Sequence, residues 1–127
     1  MRFLSLRIHA ALDHLTVLAF ALAPAVLGFE GLMMYICYGL ASAHTLVTML
    51  SPEPVGSFGV LPEKWHAGIE LAVAFSLGLG NWALPISSTG HWFLTGSAGV
   101  IFLLWLVTDY DGKAQPALMP SVVLAQQ

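Results

Sequence analysis

The sequence predicts an all-α fold, a four-helix transmembrane bundle built from two parallel repeats of a helical hairpin. Three observations lead there. Of the 127 residues, 57 % are hydrophobic and 9 % charged, and the mean hydropathy is +0.81. A soluble domain carries roughly 25 % charged residues, so this chain has too few charges to cover its surface in water. The apolar residues fall in four stretches, about 3–23, 32–50, 65–83 and 91–108, each close to the ~20 residues that a helix needs to cross a bilayer. Finally, the opening segment recurs: His9-Ala-Ala-Leu-Asp13 returns as His66-Ala-Gly-Ile-Glu70, 57 positions on (66 − 9).

Lipid forces a backbone to satisfy its own hydrogen bonds, so helices are expected in all four stretches. The first follows Arg2 and Arg7, and Pro24 should end or bend it. It departs from a secretory signal because His9, Asp13 and His14 interrupt its apolar run and Pro24 directly follows the small residues at 21–23. Ser51-Pro52-Glu53-Pro54 stops the second stretch, and 56–59 reads as a loop. Pro62-Glu63 opens the third, where a missing proline amide and a negative charge suit a helix start. Asn81 and Pro85 close it. The fourth ends in Leu106-Val107-Thr108, which matches Leu46-Val47-Thr48 at a spacing of 60 (108 − 48). That spacing predicts three extra residues in the middle loop of the second copy. The domain reading is a single membrane domain over 1–113, with repeat one at about 7–60 and repeat two at about 64–113. The tail 114–127, with Pro116 and Pro120, is too short to cross and reads as interfacial or disordered.

Basic residues set the orientation. With four crossings Arg2, Arg7, Lys64 and Lys113 fall on one side, leaving Glu30 and His91 on the other. Both termini are therefore expected in the cytoplasm. Trp82 and Trp92 are expected at the outer interface, Trp65 and Tyr110 at the inner one, and Glu30 and His91 as a solvated outer pair. Gly39 with Ala43, Gly68 with Ala72, and Gly96 with Gly99 are small enough to let helices approach closely, within a tight bundle or between copies. Cys37 has no partner for an internal disulfide and reads as packing, as do Met33 and Met34. No basic patch suggests nucleic acid.

The two-copy plan, the helix-proline turn Ala23-Pro24-Ala25-Val26-Leu27-Gly28-Phe29 and the second-copy His66 and Glu70 resemble the SPW-repeat family of small bacterial integral membrane proteins. Of the family's Ser-Pro-Trp motif, the first copy keeps Pro24 and the second Trp82. The resemblance covers most of residues 9–113. It implies four membrane helices in the bacterial inner membrane and says little about chemistry.

Candidate function concentrates near the cytoplasmic side. At ~1.5 Å per residue, Asp13, Glu70 and His44 lie at a similar depth, on the order of 10 Å inside the membrane edge. His9 and His66 lie one turn shallower on the faces of Asp13 and Glu70, and Thr48 is one turn from His44. A charged residue at mid-span costs ~2.5–3.5 kcal/mol, and Arg7 at the rim is the one nearby basic residue. Protonation, histidinium or a bound cation must therefore neutralise the carboxylates. The plain reading is hydrogen bonding within and between helices, with no cofactor. The sharper one is a metal site with Asp13, His44, His66 and Glu70 as ligands and His9 next, since imidazole with carboxylate suits zinc, iron or manganese. Haem between His9 and His66 is a further option, and a proton path another.

There is no nucleophile–base arrangement, phosphate-cradling loop or cysteine pair, which points away from an enzyme. The leading expectation is a non-catalytic accessory or scaffold subunit, or a homo-oligomer, with lipid and membrane subunits or itself as partners. The alternatives are a metal- or haem-binding membrane protein and a small transporter or proton pathway.

Overall fold

A computed structural model describes residues 3–52 and 54–110. It contains four α-helices, α1 (Leu6–Leu27), α2 (Gly31–Leu50), α3 (Glu63–Leu79) and α4 (Ser88–Val107), with a 3-10 turn at Gly80–Ala83 after α3. No strand occurs among the described residues. The expected tail 114–127, together with Arg2, Glu53 and Lys113, lies outside them.

Helices α1, α2 and α4 are long and apolar enough to cross a membrane. The third expected span is shorter. α3 has 17 residues, about 25 Å at ~1.5 Å per residue, and the 3-10 turn that follows adds about 8 Å at ~2.0 Å per residue. Asn81 explains the tightening. Its side-chain amide bonds back to the Leu77 carbonyl and reaches Thr95 Oγ1 at 3.1 Å. At the end of α1 the helix runs three residues beyond Pro24. Proline removes only its own amide, and the stop comes at Gly28, whose φ of 66° places it in the left-handed region with its N–H on the Pro24 carbonyl.

Three of the four pairs of helix boundaries keep a single spacing. α1 and α3 begin at 6 and 63, α2 and α4 begin at 31 and 88, and they end at 50 and 107, each pair 57 apart. The 60-residue spacing expected from the Leu-Val-Thr matches is therefore not found at these boundaries, while the longer middle connection is: residues 28–30 join α1 to α2 and 80–87 join α3 to α4, because α3 ends 52 residues (79 − 27) after α1 does. Three residues are nearly one helical turn, so a match slid by three stays on the same helix face.

α1 packs against α2, and α3 against α4. In one half of the bundle they enclose an apolar core that includes Phe20, Met33, Cys37, Leu77, Leu94 and Ile101. Ala41, Ala74 and Ala98 are buried among them, and a Cβ on Gly78 would stand 3.5 Å from that of Ala98. The glycines expected at close helix approaches behave differently. Gly39, Gly68, Gly96 and Gly99 have no neighbour within 4 Å of a built Cβ, so they lie on the bundle's exterior. That exterior is strongly apolar, with Leu18, Val26, Tyr35, Leu46, Phe75 and Leu103 exposed, which suits lipid as the surrounding solvent.

The other half of the bundle is closed by backbone. The last carbonyls of a helix lack partners within it, and here they are met by incoming chain. Val60 and Leu61 N–H donate to the Leu50 carbonyl at 2.9 and 2.8 Å, while Phe3 and Leu4 N–H donate to the Val107 carbonyl at 2.9 and 3.0 Å. The segment preceding α3 thus seals the end of α2, and the segment preceding α1 seals the end of α4. Gly56 makes the first seal possible, because a Cβ there would overlap the carbonyl oxygens of Thr48 and Ser51.

Candidate metal centre

The chain's alternating direction brings the starts of α1 and α3 together with the ends of α2 and α4. Each of α1 and α3 carries histidine and carboxylate four residues apart, on one helix face. Those faces turn inward: His9, Asp13, His66 and Glu70 are at most 3 % exposed. One ligand atom from each lies within 4.8 Å of all the others. His9 Nε2 is 3.5 Å from Asp13 Oδ2 and 3.2 Å from Glu70 Oε1, and His66 Nε2 is 3.4 and 3.8 Å from the same two oxygens.

The outer nitrogens of both imidazoles are held by hydroxyls. Ser51 Oγ lies 2.8 Å from His66 Nδ1, and Thr108 Oγ1 lies 3.0 Å from His9 Nδ1. Each hydroxyl donates its one proton to the carbonyl four residues back, Ser51 to Val47 at 2.9 Å and Thr108 to Leu104 at 2.6 Å. Toward histidine it can therefore only accept, so each Nδ1 bears a proton. In a neutral imidazole the lone pair then sits on Nε2 and faces two carboxylate oxygens.

Those Nε2 atoms make no hydrogen bond. A protonated Nε2 would draw its oxygen to about 2.7–2.9 Å, closer than any of the four separations. The four separations, 3.2–3.8 Å, bracket those of a different arrangement. Donors about 2.0–2.1 Å from a central zinc ion, set tetrahedrally, stand roughly 3.3–3.4 Å from one another.

The second carboxylate oxygens are also engaged. Tyr110 donates its hydroxyl to Glu70 Oε2 at 2.5 Å, and Asp13 Oδ1 faces His44 Nε2 at 3.5 Å. Each carboxylate thus presents a single oxygen inward. Burial, with the Glu70 carboxylate beside it, pushes the Tyr110 phenol above its ordinary range, which keeps it a proton donor. Tyr110 was expected at the interface and is instead turned into the bundle, because Glu70 offers a buried acceptor.

The structure brings five of the six predicted site residues into contact. His44 belongs to the group through Asp13, outside the set of four converging atoms. Thr48 is buried one turn before Ser51, and its hydroxyl has no hydrogen-bond partner among the described residues. Ser51, Thr108 and Tyr110 escaped sequence reasoning. The first two carried a signal, since they stand 57 apart (108 − 51), the spacing of the two histidines. Tyr110 carried none.

Elsewhere, His14 Nδ1 bonds the Ala10 carbonyl at 2.7 Å on its own helix. The expected pairing of His91 with Glu30 is replaced. His91 Nδ1 meets Asn81 Oδ1 at 2.9 Å, and its ring stacks on Trp82 at 4.8 Å.

The geometry disfavours haem. The His9 and His66 rings lie 5.8 Å apart at an interplanar angle of 70°, and the Asp13 and Glu70 oxygens stand between their Nε2 atoms, where a porphyrin plane would have to pass. No family model, curated protein or solved structure matches this chain.

Proposed function

We propose that this protein is a multi-pass membrane metalloprotein that holds one divalent transition-metal ion through His9 Nε2, Asp13 Oδ2, His66 Nε2 and Glu70 Oε1. The observation that carries the reading is the pair of buried imidazoles whose Nδ1 protons are committed to Ser51 and Thr108, leaving both Nε2 atoms turned on carboxylates without a hydrogen bond. A divalent cation cancels the charge of the two carboxylates and offsets the cost of holding them in lipid. Two nitrogens and two oxygens suit zinc, iron or manganese. The hydroxyls and Tyr110 are the outer partners that such a centre uses to orient its ligands.

The same reading treats the chain as a duplicated hairpin in a bacterial inner membrane, with both termini cytoplasmic and kinship to SPW-repeat proteins through Pro24 and Trp82. The spacing of 57 shared by three of the four pairs of helix boundaries, by the hydroxyl–histidine bonds and by the backbone seals supports duplication. Arg7 and Lys64, with Arg2 and Lys113 in the sequence, support the orientation.

The test is elemental analysis of the full chain purified in lipid nanodiscs. About one bound ion per chain is expected, lost in Asp13→Asn and in Glu70→Gln. Metal-free protein that takes up no added zinc, iron or manganese overturns the reading. The second reading is an accessory or self-associating subunit without a catalytic role. It draws on the exterior glycines at 39, 68, 96 and 99, which are free to meet another helix. A metal-free chain that runs as a larger assembly favours it. A proton pathway is disfavoured by the apolar core that includes Phe20, Cys37, Leu94 and Ile101.

A further inference from the structure

Beside the four converging atoms lies a cavity of about 50 Å³ on the seam between α2 and α3. Its walls are apolar, from Phe20, Leu40, Val47, Val73 and Ile101, except where His44 and Glu70 enter. Ala43 lines its edge and is exposed on the bundle's exterior, the face turned to hydrocarbon. A water needs roughly 10–15 Å³ of such space, so the cavity admits a molecule of a few heavy atoms and nothing larger. His44 Nε2 is buried there without a hydrogen-bond partner.

We propose that this cavity is the exchangeable ligand position of the metal centre, and that it takes a small, uncharged, lipid-soluble molecule with a terminal donor atom, of the class of dioxygen, entering between α2 and α3 from the membrane interior. The inference rests on the metal reading above. Four single-atom protein ligands leave room for a fifth donor on iron or manganese, and Glu70, itself a ligand, lines the cavity and so brings it against the ligand set. Apolar walls turn away ions, which pay heavily to leave water, and admit neutral molecules that already partition into lipid. His44 Nε2, which faces Asp13 Oδ1 at 3.5 Å without a hydrogen bond, stands where it can hydrogen-bond the far atom of a bound diatomic.

Nitric oxide is the probe. The full chain in nanodiscs is loaded with ferrous iron without oxygen, its retained iron is measured, and the gas is added. A half-integer-spin iron–nitrosyl signal by electron paramagnetic resonance, equal to the bound iron, is the expected result. Ala43→Phe places a ring at the mouth and should abolish that signal while the iron stays bound. Val47→Phe, on the same wall, is a second closure should the first disturb iron retention. Iron-loaded wild type without a nitrosyl signal overturns the inference and leaves the metal reading intact. So does a full signal in both closed variants. Failure to retain iron, zinc or manganese at all overturns the metal reading first, and this one with it.

Discussion

Replacing Thr108 by valine isolates what the hydroxyl does for His9. The change is close to isosteric and removes the acceptor that His9 Nδ1 meets at 3.0 Å. The helix end survives, because Thr108 N–H still donates to the Leu104 carbonyl at 3.0 Å. His9 is fully buried, so its Nδ1–H finds no water in exchange, and the ring is free to turn or to move its proton to Nε2. Losing an outer partner of a metal-bound histidine typically lowers affinity 10–100-fold, or about 1.4–2.8 kcal/mol at ~1.4 kcal/mol per decade. Ser51→Ala acts on His66 through a bond of 2.8 Å and should fall in the same range. The assay is competition for zinc against a chromophoric chelator, with the full chain in nanodiscs and thermal unfolding of the metal-free protein measured alongside. A purely structural hydroxyl would lower the melting temperature of the metal-free protein and leave affinity unchanged. Unchanged affinity in both variants would refute the claim that these hydroxyls hold imidazoles for a metal.

Three further outcomes are expected. Tyr110→Phe frees Glu70 Oε2 and should weaken zinc binding by about tenfold, the lower end of the range for an outer partner; an unaltered competition curve would remove Tyr110 from the centre. Gly56→Ala drives a methyl into the Thr48 and Ser51 carbonyls, so the 54–61 loop should lift from α2, readable as faster amide exchange at Val60 and Leu61, with weaker zinc binding because Ser51 moves; retained protection of both amides would contradict the seal. Haem added to the metal-free protein should produce no bis-imidazole absorbance spectrum, and a stoichiometric one would show that the carboxylates yield the space between His9 and His66.

The amino-acid pattern alone determined the helical class, the apolar exterior and the recurrence of histidine and carboxylate at one depth. Those properties follow from hydropathy, from the helical repeat that puts residues four apart on one face, and from a spacing of 57 that survives in the letters. It could not decide which nitrogen of each imidazole faces the centre. That depended on Ser51 and Thr108, which reach across from the end of the other hairpin, and a hydroxyl's acceptor is invisible until its own carbonyl is located. The local match at Thr48 pointed one turn away from Ser51 for the same reason: face is legible from periodicity, while height along the axis is set by contact. Tyr110 follows the last helix and looked interfacial until the fold placed Glu70 beside it. Chemistry at this site comes from directions of lone pairs and protons, and only packing of four helices against one another sets those directions.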